Sequence, residues 1–168
     1  RNPFDTARTA GGSSSGSGAS VGARMVPCAI GTQTMASLIR PSSFNAVYGF
    51  KPTWGALNIG GMHPLAPSQD HIGPMAATLA DAWVTARLIA ERAGGHNGHA
   101  GLEGPLDLPV ARKPARLVRL DTLGWSQIDD SIRELFELFI AALVDAGVDI
   151  VDRRTAHKVE KLESMLLD

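Results

Sequence analysis

The chain has 168 residues, of which 44% are hydrophobic and 20% charged, and a formal net charge of −1. That length suits one domain with a sizeable core, and the composition is ordinary for a globular protein. The balanced charge leaves no basic footprint for nucleic acid or an anionic membrane surface, and the longest apolar run, residues 138–144, falls far short of the roughly 20 residues that span a bilayer. Cys28 is the single cysteine, so no intrachain disulfide can form. No apolar leader opens the chain and no initiator Met stands first, so the expectation is a cytoplasmic protein whose sequence begins inside something longer.

Residues 2–18 are rich in Gly, Ser, Thr, Asn and Pro and read as loop. Residues 19–25 read as a short helix, 26–30 as a buried strand ended by Gly31, and 46–50 as a second short strand closed by Lys51-Pro52-Thr53. Thr78 and Asp81 have capping-box spacing, and the apolar positions after them predict a helix ending before Gly94-Gly95. A Gly/Pro/His-containing connector over residues 93–114 is the candidate internal boundary. Beyond it, residues 115–168 read as β-α-β-α: a strand at 116–120, then a helix at 129–146 with Ile132, Leu135, Phe136, Phe139 and Leu143 on one stripe. Gly147 suits the position just past that helix, a strand follows at 148–151, and a last amphipathic helix runs over 155–167.

The stretch from Gly11 to Ser37 holds the candidate chemistry. Gly11-Gly12-Ser13-Ser14-Ser15-Gly16-Ser17 taken alone reads as a flexible linker, yet only ten residues precede it and a helix-strand pattern follows at once. Gly12-Ser13-Ser14-Ser15-Gly16 fits the nucleophile-elbow pattern G-x-S-x-G, but that motif needs an apolar strand directly before it, which residues 5–10 do not supply. A phosphate loop fails because no Gly-Lys-Ser/Thr follows.

Several ordered motifs carry a resemblance. Arg1-Asn2-Pro3-Phe4-Asp5, Gly11-Gly12-Ser13-Ser14, the run Gly31-Thr32-Gln33-Thr34 followed by Ser37-Leu38-Ile39-Arg40-Pro41, Gly49-Phe50-Lys51-Pro52-Thr53 and Ser68-Gln69-Asp70-His71-Ile72-Gly73-Pro74-Met75-Ala76 together resemble the amidase signature family. The resemblance is strongest over residues 1–92, the signature core, and continues in compatible pattern to about residue 151. It implies an α/β fold, a mixed sheet covered by helices, represented here by an internal portion incomplete at both ends. It also implies hydrolysis of a carboxylic amide in the full-length parent. Ser37 matches the acyl-accepting nucleophile, and Ser13 matches the bridging serine, which in the family follows a cis peptide bond. The backbone N–H groups of Thr34, Met35, Ala36 and Ser37 match the turn that faces the developing oxyanion. Ser14 has two readings, a support for that turn or a solvent-facing turn serine. A lysine base completes the family's triad and lies upstream of the Gly/Ser loop, outside this chain. None of Lys51, Lys113, Lys158 and Lys161 takes its place, so the chain alone is expected to be inactive.

The chemistry of such a set is coherent, because a serine hydroxyl becomes nucleophilic when a neighbouring base takes its proton, and Ser-Lys pairs are one variant of that scheme. No cofactor or metal is implied, and the partner is a small-molecule amide; a homodimer is one assembly left open. Met35-Ala36 stand where the family usually carries glycine, whose freedom at φ > 0 the turn would use. That departure leaves an inactive remnant or a binding module on the same scaffold as the alternative. An amidotransferase A-type subunit ranks below both, since Gln33 and Met35-Ala36 depart from its usual Asp and paired glycines. Arg40 has two readings, a structural tie between the loop and a carboxylate, or a guanidinium that anchors an acidic substrate near Ser37. Asp70-His71 invites a Ser-His-Asp triad, but adjacent residues point apart. His96 and His99 offer two ligands where a zinc site needs three or four.

Overall fold

The computed structural model describes residues 1–167, and the chain divides into two compact units, Arg1–Pro109 and Val110–Asp168. The division falls inside the connector predicted from its Gly/Pro content. Both units are α/β. Among the described residues no helix is long and apolar enough to cross a membrane.

The first unit is built on a three-stranded antiparallel sheet in the order β1-β3-β2, formed by β1 (Cys28–Gln33), β2 (Tyr48–Gly49) and β3 (His71–Ala76). The β1–β3 register runs from Cys28 opposite Ala76 to Gln33 opposite His71, and Tyr48 pairs with Ala76 on the other side of β3. Three helices accompany it: α1 (Ser15–Gly22), α2 (Ile39–Phe44) and α3 (Leu79–Ala93). The predicted loop therefore ends earlier than expected, since residues 15–18 are helical and the helix stops at Gly22. Gly and Ser are poor helix formers, but packing overrides propensity here. A side chain at Gly18 would place its Cβ 2.9 Å from the buried Asn45 Nδ2 and 3.0 Å from the Pro41 carbonyl oxygen, so small residues are what let α1 lie against α2.

Two elements of the first unit escaped the sequence reading. Helix α2 holds Pro41 in its first turn, where the missing N–H costs no helical bond. Strand β3 contains Gly73 and Pro74, which depress strand propensity. Pro74 nevertheless accepts the Phe50 N–H at 3.0 Å, and Gly73 is required because a Cβ there would run into the Phe50 carbonyl. Strand β1 passes through Gly31 instead of ending there, so it delivers Gln33 to the start of the next turn. Helix α3 follows the expected cap: Thr78 is extended and its Oγ1 accepts the Asp81 N–H at 3.1 Å. Its buried face, Ala82, Ala86 and Ala90, repeats every four residues, and Leu57 packs there with Phe50, Ile72, Ile89 and Leu102 around it.

The second unit pairs β4 (Arg116–Val118) with β5 (Asp149–Val151) in parallel, joined by α4 (Asp130–Asp145) and followed by α5 (His157–Leu167). Gly147, at φ 78°, closes α4 as a Schellman motif: its N–H donates to the Val144 carbonyl at 2.8 Å and the Val148 N–H to Leu143 at 3.0 Å. The buried Arg119 side chain donates to Glu137 at 2.9 Å and to Asp121 at 3.0 Å, with its guanidinium 4.7 Å from the Trp125 ring centroid. The Glu137 hydrogen bond is the main cause of a guanidinium pKa raised above its ordinary value.

The close approach at β3 gives a direct check. Gly73→Ala should destabilise the protein by about 1–3 kcal/mol, the usual cost of forcing an extra methyl into packed space. Urea denaturation measures it, and an unchanged midpoint would contradict the packing described.

Candidate active site

The site is assembled where the Gly/Ser loop meets the end of β1. The Gly12–Ser13 peptide bond is cis, as the resemblance implies. Immediately after it, Ser14 makes three contacts with the strand and the turn beyond. Its Oγ accepts the Thr32 N–H at 3.0 Å and donates to the Thr32 carbonyl at 3.1 Å, while its own N–H donates to the Ser37 carbonyl at 3.1 Å. Ser17 adds a fourth link, donating to the Ile30 carbonyl at 2.8 Å. Glycine at position 31 makes room for this: a Cβ there would lie 3.0 Å from Ser14 Oγ and 2.9 Å from Met75 Cε.

The turn from Thr34 to Ser37 is shaped by Gln33. The Gln33 side chain is buried, and its Oε1 accepts the N–H groups of Leu38 and Ile39, each at 3.0 Å, at the start of α2. Two of the orphan donors of a helix N-terminus are satisfied in this way. Among the described residues, no acceptor takes the N–H groups of Met35, Ala36 and Ser37. The positive-φ non-glycine residues of the described chain are Arg24, Ala46 and Asn97, so Met35 and Ala36 take this turn without entering the left-handed region. Met35 is 85% exposed.

Ser13 and Ser37 line one cavity of about 150 Å³, together with Thr32, Thr34, Met62, His63, Leu65 and Asp70. The expected pair of serines is thus brought together with Thr34. Ser14 lies behind them as a tie. Arg40 donates to the Gly12 carbonyl through Nε at 3.1 Å and Nη2 at 2.7 Å, so its partner is a backbone carbonyl where a carboxylate was expected. Among the described residues no lysine lines the cavity. Lys51 donates to the Pro52 carbonyl at 2.8 Å, and Lys113 to Ala146 at 2.9 Å.

Met62, His63, Leu65 and Asp70 are cavity residues that sequence reasoning does not assign to the site. Residues 62–65 lie in an irregular Gly/Pro-containing segment with no periodicity to mark them. Asp70 has a signal in the Ser68–Ala76 motif, but its neighbour His71 draws the eye to a triad instead. The structure gives Asp70 other partners: Oδ1 accepts the Thr34 hydroxyl at 2.6 Å, and Oδ2 accepts the Leu65 and Ala66 N–H groups, both at 2.9 Å. The Thr34 hydrogen bond, with the two amides and nearby His71 adding to it, holds the carboxyl below its ordinary value of 3.8 against the opposing effect of burial. The His71 Nδ1 instead lies 2.5 Å from the Gln69 carbonyl. His96 and His99 stack edge-on against Trp54, with ring centroids 6.1 and 4.7 Å away. Among the described residues no group of three or more His, Cys, Asp or Glu could hold a metal ion.

The family model described as Amidase matches residues 1–167. The chain belongs to the amidase family. It is 36% identical over 151 residues to mandelamide hydrolase of Pseudomonas putida, an alignment covering 90% of this chain and 27% of that protein. Among solved structures, it resembles a crystal structure of an amidase with a TM-score of 0.75 and 26% identity, over all of this chain and 40% of that one. It also resembles the A-type subunit of the Thermotoga maritima glutamyl-tRNA(Gln) amidotransferase, with a TM-score of 0.72 and 28% identity, over 90% of this chain and 34% of that one. This amidase-family chain therefore spans less than half the length of these relatives.

The Asp70 cluster predicts a pH dependence. A carboxyl whose folded pKa is lowered contributes stability above its unfolded pKa and loses it as pH falls through the folded value. Wild type should exceed Asp70→Asn in stability most at neutral pH, and the gap should close on acidification below about pH 4. Urea midpoints across a pH series measure it; a gap independent of pH would contradict the assignment.

Proposed function

We propose that the full-length protein hydrolyses a small carboxamide through an acyl-Ser37 intermediate, releasing ammonia or an amine. The observation that carries this reading is the convergence of Ser13 and Ser37 on one cavity, next to a turn whose Met35, Ala36 and Ser37 N–H groups have no acceptor among the described residues. Amide hydrolysis needs a nucleophile, a proton relay and donors aimed at the charge that develops on the carbonyl oxygen. Ser37 attacks the amide carbon, Ser13 carries the proton between Ser37 and the base and then to the leaving nitrogen, and the turn's N–H groups stabilise the oxyanion. One donor lost from such a hole costs on the order of 3–4 kcal/mol in the barrier. The base in this reading is a lysine from the parent chain outside residues 1–168. Burial lowers the pKa of such a lysine by disfavouring the ammonium. In this reading the parent protein works in the cytoplasm.

Arg40 acts in this scheme as a clamp, because its guanidinium is already engaged twice by the Gly12 carbonyl. The likeness to the amidotransferase keeps ammonia release from glutamine as the second reading.

Two experiments on the full-length protein check the proposal. Ser37→Ala should abolish both amide turnover and fluorophosphonate labelling, and persistence of either sinks the nucleophile assignment. Arg40→Ala should reduce turnover of acidic and neutral amides by similar factors, whereas a loss confined to acidic amides would make Arg40 a substrate anchor. Glutamine assayed alongside simple carboxamides separates the two substrate readings.

A further inference from the structure

Among the described residues Asp70 is the one acidic side chain that lines the cavity, and it is only 3% exposed. Its two oxygens receive three donors from two different segments. Oδ1 holds the Thr34 hydroxyl at 2.6 Å, at the entry to the turn that ends in Ser37. Oδ2 holds the Leu65 and Ala66 N–H groups at 2.9 Å, at the end of the irregular segment that brings Met62, His63 and Leu65 to the cavity. The residue's own backbone closes the same knot, since the Asp70 and Gln69 N–H groups donate to the Ala66 carbonyl at 2.9 and 2.8 Å.

We propose that Asp70 is a positioning residue for the hydrolytic reaction: its carboxylate fixes the Thr34-to-Ser37 turn and the Met62-to-Leu65 wall in one mutual geometry. The inference rests on the amide-hydrolysis reading above and adds to it a residue outside the two-serine set. The chemistry selects a carboxylate. An ionised carboxylate only accepts, with room for about four hydrogen bonds, and three donors meet here. An asparagine at position 70 can keep the backbone pair on its one oxygen only by turning its Nδ2 to Thr34, so the Thr34 hydroxyl must reverse and accept a neutral hydrogen bond in place of donating to a charged oxygen. Asp70 acts through Thr34 and the wall segment and need not touch substrate. Charge-assisted hydrogen bonds of this kind are the stronger class, which suits a tie that must hold a turn to within a fraction of an ångström. A misplacement of about 1 Å in a reacting group costs on the order of 100-fold in rate, so a loosened turn would be read in kcat.

The test compares Asp70→Asn, Thr34→Val, Thr34→Ser and the Asp70→Asn/Thr34→Val double variant with wild type in the full-length protein, using a simple carboxamide and a fluorophosphonate probe. Asp70→Asn and Thr34→Val should each lower kcat at least about tenfold while KM changes by less than about threefold, with probe labelling of Ser37 slowed in parallel. The double variant should be little worse than the worse single variant, because both break one link. Thr34→Ser keeps the hydroxyl and should recover most of the activity lost in Thr34→Val. Urea midpoints identify any variant whose loss is merely unfolding. The proposal is overturned if both single variants keep kcat within about twofold, if their effects multiply, or if the loss tracks stability alone. Ser37→Ala run in parallel keeps the two ideas apart. An inactive Ser37→Ala beside fully active Asp70→Asn and Thr34→Val removes the positioning role alone, whereas turnover surviving in Ser37→Ala removes the hydrolytic reading itself.

Discussion

Ser14 is the fastener on which the site depends. One hydroxyl both accepts from and donates to the Thr32 backbone, and the same residue's N–H reaches the Ser37 carbonyl. The Gly/Ser loop, the end of β1 and the turn that ends in Ser37 are thereby held by a single residue. Each such hydrogen bond contributes only about 1 kcal/mol net. Their importance is geometric, because Ser13 is fixed by what precedes and follows it: Arg40 grips the Gly12 carbonyl on one side and Ser14 grips the strand on the other. Gly31 is the steric condition for the arrangement, since any side chain there would meet Ser14.

A second layer of ties acts at a distance from the serines. Gln33 ends β1 and uses its buried amide oxygen to start α2, so strand, turn and helix share one corner. The corner leaves the N–H groups of Met35, Ala36 and Ser37 without an acceptor among the described residues. Met35 and Ala36 occupy this turn without a left-handed φ, so the backbone absorbs the departure from glycine. Gln33 and His71 are the last pair of the β1–β3 register, and Thr34 and Asp70 are the next residues along each chain. Asp70 thus continues the ladder with a side-chain bond and joins the turn to the cavity wall.

How much of this was legible in the sequence depended on where the information resides. Helix α3 was readable because Thr78 and Asp81 state its start locally, and α4 because Gly147 states its end. The roles proposed for Ser13 and Ser37 come only through the resemblance, since a Gly/Ser run has no periodicity. The first turn of α1 was hidden because its stability comes from packing of Gly18 against Pro41 and Asn45, and β3 because its Gly and Pro are explained only by the Phe50 backbone beside them. The partner of Asp70 was also unreadable: Thr34 lies 36 positions away, and only the antiparallel register of β1 and β3 brings the two together.

The central claim is that Ser37 accepts the acyl group. Its most direct test is intact-mass and peptide mapping of the full-length protein quenched during steady-state turnover of a carboxamide. The account predicts a mass increase equal to the acyl group, located on the peptide containing Ser37 and absent from Ser37→Ala. An acyl adduct on Ser13 in place of Ser37, or turnover by Ser37→Ala with no adduct anywhere, would contradict it.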